Sequence, residues 1–360
     1  MDSLTQAALG AAVGTAVLGR RIGPRRAALA GAALGTLPDL DVFWPFDDPV
    51  DAFVLHRGAT HSLVVQALVT PLLGEALVRG FRALREHRWQ SWAAVYLCLS
   101  THALLDALTV YGTRLLWPLW TEPVGVGSVF IIDPLYTGPL LVAVVWALCL
   151  RAWTPRFGRT LATALALSTG YLGWGVAAQG IAQARADAVL ARAGIAPQRT
   201  LATPTPFNTL FWRVIAVDGD RYLNLYVPLL GDAEAVTAYA HPRGGDDECL
   251  AGIPVAGTLS RFAHGFVRYE RDGADWRVAD LRMGLTPSYV FRFAVAEDRG
   301  GVATPVAPRQ VRMPRSGDGD IDWLLAGMAG RAAVRTAERD ATLDLEALRL
   351  AARPAPTLSC

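Results

Sequence analysis

The sequence predicts an α-helical polytopic membrane domain of about six helices, followed by a smaller α+β soluble domain with an antiparallel sheet. The 360 residues are 52% hydrophobic and only 18% charged, and the mean hydropathy of +0.28 is high for a soluble protein. Long apolar runs fill the first half, whereas short strand-like segments bounded by turns fill the second. We therefore expect a membrane domain at residues 1–183, a stalk at 184–199 and an extracytoplasmic domain at 200–360.

Six apolar runs reach or approach the roughly 20 helical residues that are needed to cross a hydrocarbon core. The first run is followed, not preceded, by arginines, which is not the pattern of a cleaved signal peptide. We expect this run to span the membrane or to insert halfway. The six runs lie near residues 4–19, 27–43, 63–79, 92–112, 131–150 and 160–182.

Arginines between the runs predict the orientation, because short loops rich in Arg and Lys stay in the cytoplasm. Both termini and the C-terminal domain are then extracytoplasmic, and the protein crosses the inner (plasma) membrane of a bacterium several times. The arginine-rich links follow the first, third and fifth runs and hold Arg20, Arg21, Arg25, Arg26, Arg82, Arg85, Arg88, Arg151, Arg156 and Arg159.

Polar residues interrupt the apolar runs on one side of the predicted membrane. His102 and Asp106 lie four residues apart, so a helix points both side chains in the same direction. The stretches Leu37–Asp41 and His56–Ser62 fall on the same outer side. Because ionisable groups at bilayer depth are costly and usually mark function, we predict that these groups converge on a metal. The six predicted ligands are Asp39, Asp41, His56, His61, His102 and Asp106.

The mixture of imidazole and carboxylate suits Zn²⁺ or another first-row divalent ion such as Mn²⁺, whereas Mg²⁺ and Ca²⁺ favour oxygen ligands. Six ligands exceed what one tetrahedral ion requires, so we expect one or two ions. A bound metal activates water and clamps the oxygens of a phosphoester or acyl centre, which predicts a hydrolase. Asp41 and Asp106 are the candidate proton relays, and Arg57 and Arg114 are candidates to hold an anionic group. Candidates to hydrogen-bond the ligands are Thr60, Ser62 and Thr109.

Five motifs follow one another within roughly the first 150 residues. They are Met1–Gln6, Leu37–Asp41, His56–Ser62, His102–Asp106 and Thr109–Pro118. Their form and order resemble the bacterial inner-membrane metal-dependent hydrolase family, the YdjM-like group. The resemblance implies a helical membrane hydrolase whose metal is held by the aspartates and histidines of these motifs. One departure is Gln6, where many relatives carry His, which argues against a ligand from the N-terminal segment.

Two alternative functions use the same residues. A membrane transporter or metal-binding protein could use the ligands for passage, but transporters tend to have paired repeats with broken helices, and only the second run is broken here. A scaffold could instead hold a structural metal in a closed site. The expected partners are the lipid bilayer and a lipid or phosphoester substrate. A net charge of +2, without stacking platforms, argues against nucleic acid.

The second half contains two Asp-Gly pairs between strand-like segments, which predicts two hairpins in an antiparallel sheet. A further strand and a later helical pattern complete the expected soluble domain. The predicted hairpins join 211–217 to 222–230 and 265–271 to 276–283, the further strand is 289–295, and the helical pattern covers 320–352.

Other polar residues have simpler interpretations. Asp133 is as good a candidate for a helix N-cap as for a catalytic group. Ser316–Asp322 looks like a calcium loop but lacks the glutamate at loop position twelve, so we predict a turn. Cys249 and Cys360 could pair in an oxidising compartment. His241 lies without ligand-like neighbours in the sequence and is not a predicted ligand.

Overall fold

A computed structural model of the chain describes residues 1–232, 235–244, 249–250, 252–313 and 317–343. The chain divides into two compact units, and the helix at residues 155–192 passes from one into the other. The first unit contains Met1–Trp44, His56–Val176 and Pro206–Asn208. The second contains Pro45–Leu55, Ala177–Thr205 and the chain from Thr209 onward.

The first unit is built from helices. The helices are α1 (Ser3–Ile22), α2 (Pro24–Thr36), α4 (Leu63–Gly80), α5 (Arg88–Ala107), α6 (Pro134–Cys149) and the start of α7 (Pro155–Arg192), with 3₁₀ helices at Pro38–Phe43, Ala59–His61 and Arg82–Leu84. Asp2 caps α1 by accepting a hydrogen bond from the Thr5 amide, and Pro38 begins a 3₁₀ helix directly beyond α2. Ser62 and Asp133 cap α4 and α6, so Asp133 is a helix cap.

Glycines bring α1 and α2 unusually close together. A Cβ atom at Gly14 would lie 2.7 Å from the Cα of Gly31, and one at Gly35 would lie 2.8 Å from the Cα of Gly10. Both helices carry a Gly-x-x-x-Gly spacing, which permits this kind of backbone contact between helices. The pattern is visible in the sequence, but it was not among the predicted features.

The prediction of about six membrane spans is wrong by the measure of helix length and hydropathy. Within the described residues, only α4 and α7 are long and apolar enough to be candidate spans. At 13 and 16 residues, α2 and α6 fall short of the roughly 20 that a span needs. The second predicted run fails because Pro38 ends it in a 3₁₀ helix, and α5 has 20 residues but contains His102 and Asp106.

The second unit combines two antiparallel sheets with helices. The strands are β1 (Arg199–Pro204), β2 (Phe211–Asp218), β3 (Arg221–Pro228), β4 (Thr237–Pro242), β5 (Val267–Asp272), β6 (Asp275–Asp280), β7 (Gly284–Leu285), β8 (Ser288–Tyr289), β9 (Arg292–Arg299), β10 (Val302–Gln310) and β11 (Thr342–Leu343). One sheet has the strand order β1-β2-β3-β4-β11, the other has the order β10-β9-β6-β5, and β7 and β8 form a two-stranded ribbon. The helices are α3 (Pro49–Leu55), the end of α7, α8 (Pro254–Phe262), α9 (Asp320–Met328) and a 3₁₀ helix at Thr336–Ala341.

Both predicted hairpins are confirmed. Strands β2 and β3 pair antiparallel up to Asp218 and Arg221, and strands β5 and β6 pair up to Asp272 and Asp275. Gly219 and Gly273 turn with positive φ angles of 60° and 62°, which the Asp-Gly pairs predict because glycine adopts this conformation without strain.

Other expectations for the second unit have mixed outcomes. The strand predicted at 289–295 is divided between β8 and β9. The later helical pattern yields α9, whereas residues 344–352 lie outside the described part. Cys249 is disulfide-bonded, and its predicted partner Cys360 also lies outside that part.

A polar network with Glu338 at its centre lies in the core of the second unit. One carboxylate oxygen of Glu338 bonds Asn224 at 2.6 Å and His241 at 2.7 Å. The other accepts from Tyr226 at 2.6 Å and Arg335 at 3.2 Å. Burial raises the pKa of Glu338, but the hydrogen bonds from His241 and Tyr226 outweigh burial and hold it below its ordinary value. We call these five residues the Glu338 network.

Candidate metal centre

Four of the predicted ligands meet in the first unit. The Nε2 atoms of His61 and His102 lie 3.0 Å apart. Asp39 Oδ1 lies 3.4 Å from each of these nitrogens, and Asp106 Oδ2 lies 3.3 Å from that of His61 and 3.5 Å from that of His102. All four atoms lie within 4.8 Å of one another. We call these four residues the Asp–His cluster.

Three different elements supply the cluster. Asp39 stands on the 3₁₀ helix that follows Pro38, and His61 ends the 3₁₀ helix that precedes α4. His102 and Asp106 lie one turn apart on α5, as their spacing predicts. His61, His102 and Asp106 are buried, whereas the Asp39 side chain is 22% exposed.

Five of the six distances between the four atoms fit a single tetrahedral cation. Ligand atoms bound at about 2.0–2.1 Å to a tetrahedral ion lie about 3.3 Å from one another. The five distances lie between 3.0 and 3.5 Å, whereas the sixth pair, Asp39 and Asp106, lies within 4.8 Å. Asp106 Oδ2 is buried and accepts no hydrogen bond from the described residues, although Arg57 Nε forms an ion pair with it at 3.1 Å. A cation between the four atoms would give this oxygen a direct partner.

Hydrogen bonds at the far side of each ring orient the two imidazoles. The Nδ1 atom of His102 lies 2.6 Å from the carbonyl oxygen of Gly35. An N–H that donates to this oxygen leaves the Nε2 lone pair of His102 directed into the cluster. The Nδ1 atom of His61 lies 2.9 Å from the Thr60 hydroxyl, which donates to Asp41 at 2.9 Å. Both histidines therefore have the outer partners typical of metal ligands.

Asp41 and His56, also predicted as ligands, are not members of the four-atom group. Asp41 Oδ1 lies 2.8 Å from His56 Nδ1, and Asp41 Oδ2 accepts from the Thr60 hydroxyl and, at 3.1 Å, from the Arg57 amide. The structure thus places Asp41 behind His61, where it is linked to that ligand through Thr60. The His56 ring centre lies 5.8 Å from that of His61.

Positive groups surround Asp106. The amino group of Met1 forms a buried ion pair with Asp106 Oδ1, and the Gln6 amide donates to the same oxygen at 3.0 Å. Arg57 Nε lies 3.1 Å from Asp106 Oδ2. Gln6 therefore contacts a cluster member instead of being one, and its role was not predicted. These positive charges partly offset the carboxylates of Asp39, Asp41 and Asp106.

Arg57 is held in a constrained position. Its φ angle of 62° is in the left-handed region, which is uncommon for a residue other than glycine. Its guanidinium donates to the Thr109 hydroxyl at 3.3 Å and lies 4.7 Å from the Tyr111 ring centre. The other predicted cationic residue, Arg114, contacts the same loop by donating its amide hydrogen to the Arg57 carbonyl oxygen at 3.0 Å.

The predicted hydroxyl partners have different roles. Thr60 contacts His61, whereas Thr109 bonds the Asp106 carbonyl oxygen at 2.6 Å. Ser62 caps α4 and bonds the Trp117 carbonyl oxygen.

Neighbouring charges shift the pKa of His61, the cluster member that precedes α4. Burial lowers the pKa of His61, but the carboxylates of Asp106 and Asp39, 3.3 and 3.4 Å from its Nε2, outweigh burial and raise the pKa above the ordinary value. The two carboxylates therefore favour a positive charge at this point. A bound cation would supply that charge without a proton.

The comparisons with known proteins agree with this half of the structure. The model of the YdjM inner membrane protein family matches residues 1–182. The chain belongs to the YdjM inner membrane protein family. The inner membrane protein YbcI of Escherichia coli (strain K12) is 37% identical over 122 residues, which are 33% of this chain and 68% of the relative. No solved structure matches the chain.

The family confirms the resemblance that the motifs indicate, and it supports an inner membrane location. The matched region contains every residue of the Asp–His cluster. The protein is thus a YdjM-family membrane protein with a cluster of two aspartates and two histidines that could hold a metal.

Proposed function

We propose that this protein is a metal-dependent hydrolase of the inner membrane that acts on a phosphoester or other ester. The ion is held by the Asp–His cluster, and the site faces the extracytoplasmic side, as does the C-terminal domain. One observation carries the proposal: four potential ligand atoms from three elements lie within 4.8 Å of one another, and five of their six distances are 3.0–3.5 Å. The donor set of two imidazoles and two carboxylates suits Zn²⁺ or Mn²⁺.

A bound divalent ion would supply Lewis acidity and a water molecule of lowered pKa. His56 lies beside the cluster, with its ring centre 5.8 Å from that of His61, and would be the group that exchanges a proton there. Because its Nδ1 is engaged by Asp41 at 2.8 Å, its Nε2 can carry the lone pair that accepts a proton. Its side chain is 22% exposed, so it can pass the proton to solvent. Asp41 then acts through His56 as a positioning residue.

Arg57 is the candidate group for an anionic substrate oxygen. Its guanidinium is anchored on Tyr111 and Thr109, and it already lies beside a cluster carboxylate. A guanidinium remains charged at all physiological pH values and matches the geometry of phosphate oxygens. Asp106 was predicted as a proton relay, but its burial and the positive groups around it favour the role of an ionised metal ligand.

A structural metal is the second candidate, and one feature favours it. The cluster offers four protein ligands, which is the number in structural zinc sites, whereas catalytic sites keep one position open. The behaviour of Asp39 distinguishes a catalytic from a structural ion, because Asp39 is the partly exposed ligand and lies on a short 3₁₀ helix that begins at Pro38. In a hydrolase, Asp39 would give way to water or substrate.

The test uses full-length protein purified in detergent and loaded with Zn²⁺ or Mn²⁺. We expect about one ion per chain in the wild type. His102→Ala should lose the ion and turnover of a phosphodiester, whereas His241→Ala, in the second unit, should retain both. Asp39→Ala should keep most of the ion if the site is catalytic, and its loss together with unfolding would favour the structural role. A wild-type protein that binds no divalent ion would contradict the proposal.

A further inference from the structure

Apolar side chains cover the outside of the segment that carries Asp39 and Asp41. On this 3₁₀ helix the two acids point towards the histidines, at 3.4 Å from His61 and 2.8 Å from His56. The side chains beside them point outward. Those exposed residues are Leu40, Val42, Phe43 and Trp44, with 53%, 64%, 80% and 69% of their surface accessible.

A second exposed apolar group flanks the histidine segment. The amide of Leu63 bonds the Leu115 carbonyl oxygen at 2.9 Å, so the loop beyond α5 lies against the start of α4. In this loop Leu119 is 81% exposed and Trp120 is 61% exposed. Groups of large apolar side chains with this degree of exposure mark sites of interaction with a membrane or another protein.

The position along α4 identifies the membrane as the partner. His61 lies two residues before α4, which is a candidate span with most of its surface not buried inside the protein. The cluster therefore lies at the level where that helix would leave the hydrocarbon core. Trp and Phe side chains are enriched at this level in membrane proteins. Leu68 and Leu72, at 75% and 74% exposure, add exposed apolar side chains on α4 itself.

We propose that Leu40–Trp44 inserts into the bilayer interface and admits a lipid from the membrane to the Asp–His cluster. The acids and the apolar residues alternate on one short helix, so a molecule with a polar head and an apolar tail contacts both at once. The head would meet the ligand atoms and Arg57, and the tail would remain among Phe43, Trp44 and the bilayer. The lipid nature of the substrate rests on the proposed hydrolase function, whereas the insertion of the segment does not.

Spin labelling tests the insertion without reference to activity. Full-length protein carrying Cys149→Ser, which removes the exposed free thiol, is labelled with a nitroxide at Phe43→Cys and reconstituted in vesicles of phosphatidylcholine and phosphatidylglycerol. Ile321→Cys is the control, because Ile321 is 75% exposed on α9 in the second unit. We expect the label at position 43 to collide more with oxygen than with an aqueous nickel complex, and the label at 321 to do the opposite.

Two results would overturn the insertion. Equal access of both labels to the nickel complex would place the segment in water. A label at position 43 that is shielded from oxygen and nickel alike would mean that protein, such as a second copy of this chain, covers the surface.

Turnover tests the lipid substrate separately. The variant Phe43→Ser with Trp44→Ser should lower the ratio of phosphatidylglycerol hydrolysis to bis(p-nitrophenyl) phosphate hydrolysis about tenfold or more, because it removes two apolar contacts. Ile321→Ser should leave the ratio unchanged. An unchanged ratio in the double variant would overturn the lipid route. If the wild type hydrolyses neither compound, the proposed function fails, while lipid exposure at position 43 would still establish insertion.

Discussion

Each of the two units contains a buried group of carboxylate, histidine and arginine side chains, and the two groups differ in how their hydrogen bonds are completed. In the Glu338 network, each carboxylate oxygen has two partners, supplied by Asn224 and His241 on one side and by Tyr226 and Arg335 on the other. In the Asp–His cluster, two ring nitrogens face each other at 3.0 Å, and one oxygen of Asp106 accepts no hydrogen bond from the described residues.

The difference separates a structural network from a candidate binding site. A buried polar network whose members are all satisfied rigidifies the core and needs nothing more. Two imidazole nitrogens at hydrogen-bonding distance can share one proton, but they cannot also satisfy two nearby carboxylates. Convergent lone pairs that donors match only in part are therefore expected to bind a cation, whereas a network with completed hydrogen bonds is not.

Removing the centre of the complete network should have the largest effect on stability. Glu338→Ala removes the acceptor of the buried Tyr226 hydroxyl and of the Asn224 amide, while Arg335 keeps Asp320 as its remaining carboxylate partner. Each buried group left unsatisfied costs about 1–3 kcal/mol. Hydrogen exchange of β3 and β4 in the full-length protein should report the loss, while metal content stays unchanged. Glu297→Ala is the control, since Glu297 is half-exposed and its ion pair with Arg299 lies at the surface. Equal effects of the two substitutions would contradict the distinction.

The Asp–His cluster should depend on the close contact of α1 and α2. In Gly31→Ala, the added methyl group would collide with the Gly10 carbonyl oxygen, and overpacking of this kind costs about 1–3 kcal/mol. The shift of α2 would also displace Gly35, the partner of His102. Thermal unfolding in detergent and bound metal should both decrease. Gly138→Ala in α6 meets no atom within 4 Å and should be neutral or slightly stabilising. A fully stable Gly31→Ala protein would argue against the contact.

A change behind one ligand should weaken metal binding without destroying the fold. Thr60→Val removes the hydroxyl between His61 and Asp41. Substitutions of such outer partners cost about tenfold in metal affinity, or about 1.4 kcal/mol. Competition with a chelator measures the change. In Thr101→Val, beside His102, the lost hydroxyl bonds two carbonyl oxygens of its own helix and, among the described residues, no member of the cluster, so affinity should not change. An unchanged metal affinity in Thr60→Val would show that Asp41 does not support metal binding through Thr60.

The smallest effect concerns acid stability of the second unit. Because the pKa of Glu338 in the folded protein lies below its ordinary value of 4.5, its ionised form stabilises the fold above about pH 4.5. This contribution is lost as the pH falls through the folded pKa. We therefore expect the stability difference between the wild type and Glu338→Gln to shrink on acidification, as followed by hydrogen exchange of β3. A difference that grows towards low pH would mean that Glu338 is protonated in the fold.

Local patterns in the sequence were sufficient to predict several elements of this fold. The Asp-Gly pairs predicted both hairpins because turn chemistry is local. The spacing of His102 and Asp106 predicted a shared helix face for the same reason. The number of membrane spans was overestimated because apolar runs alone do not show where Pro38 ends a helix.

The sequence by itself determined the helical first half, the antiparallel second half and the residue types of a candidate metal site, since periodicity and side-chain chemistry are properties of short segments. Only the tertiary structure decided which of six candidate residues meet. It brought Asp39, His61, His102 and Asp106 together, and it placed Asp41 with His56 beside them. The physical reason is that ligand distances of a few ångströms depend on how helices pack, and here that packing rests on glycine contacts between α1 and α2.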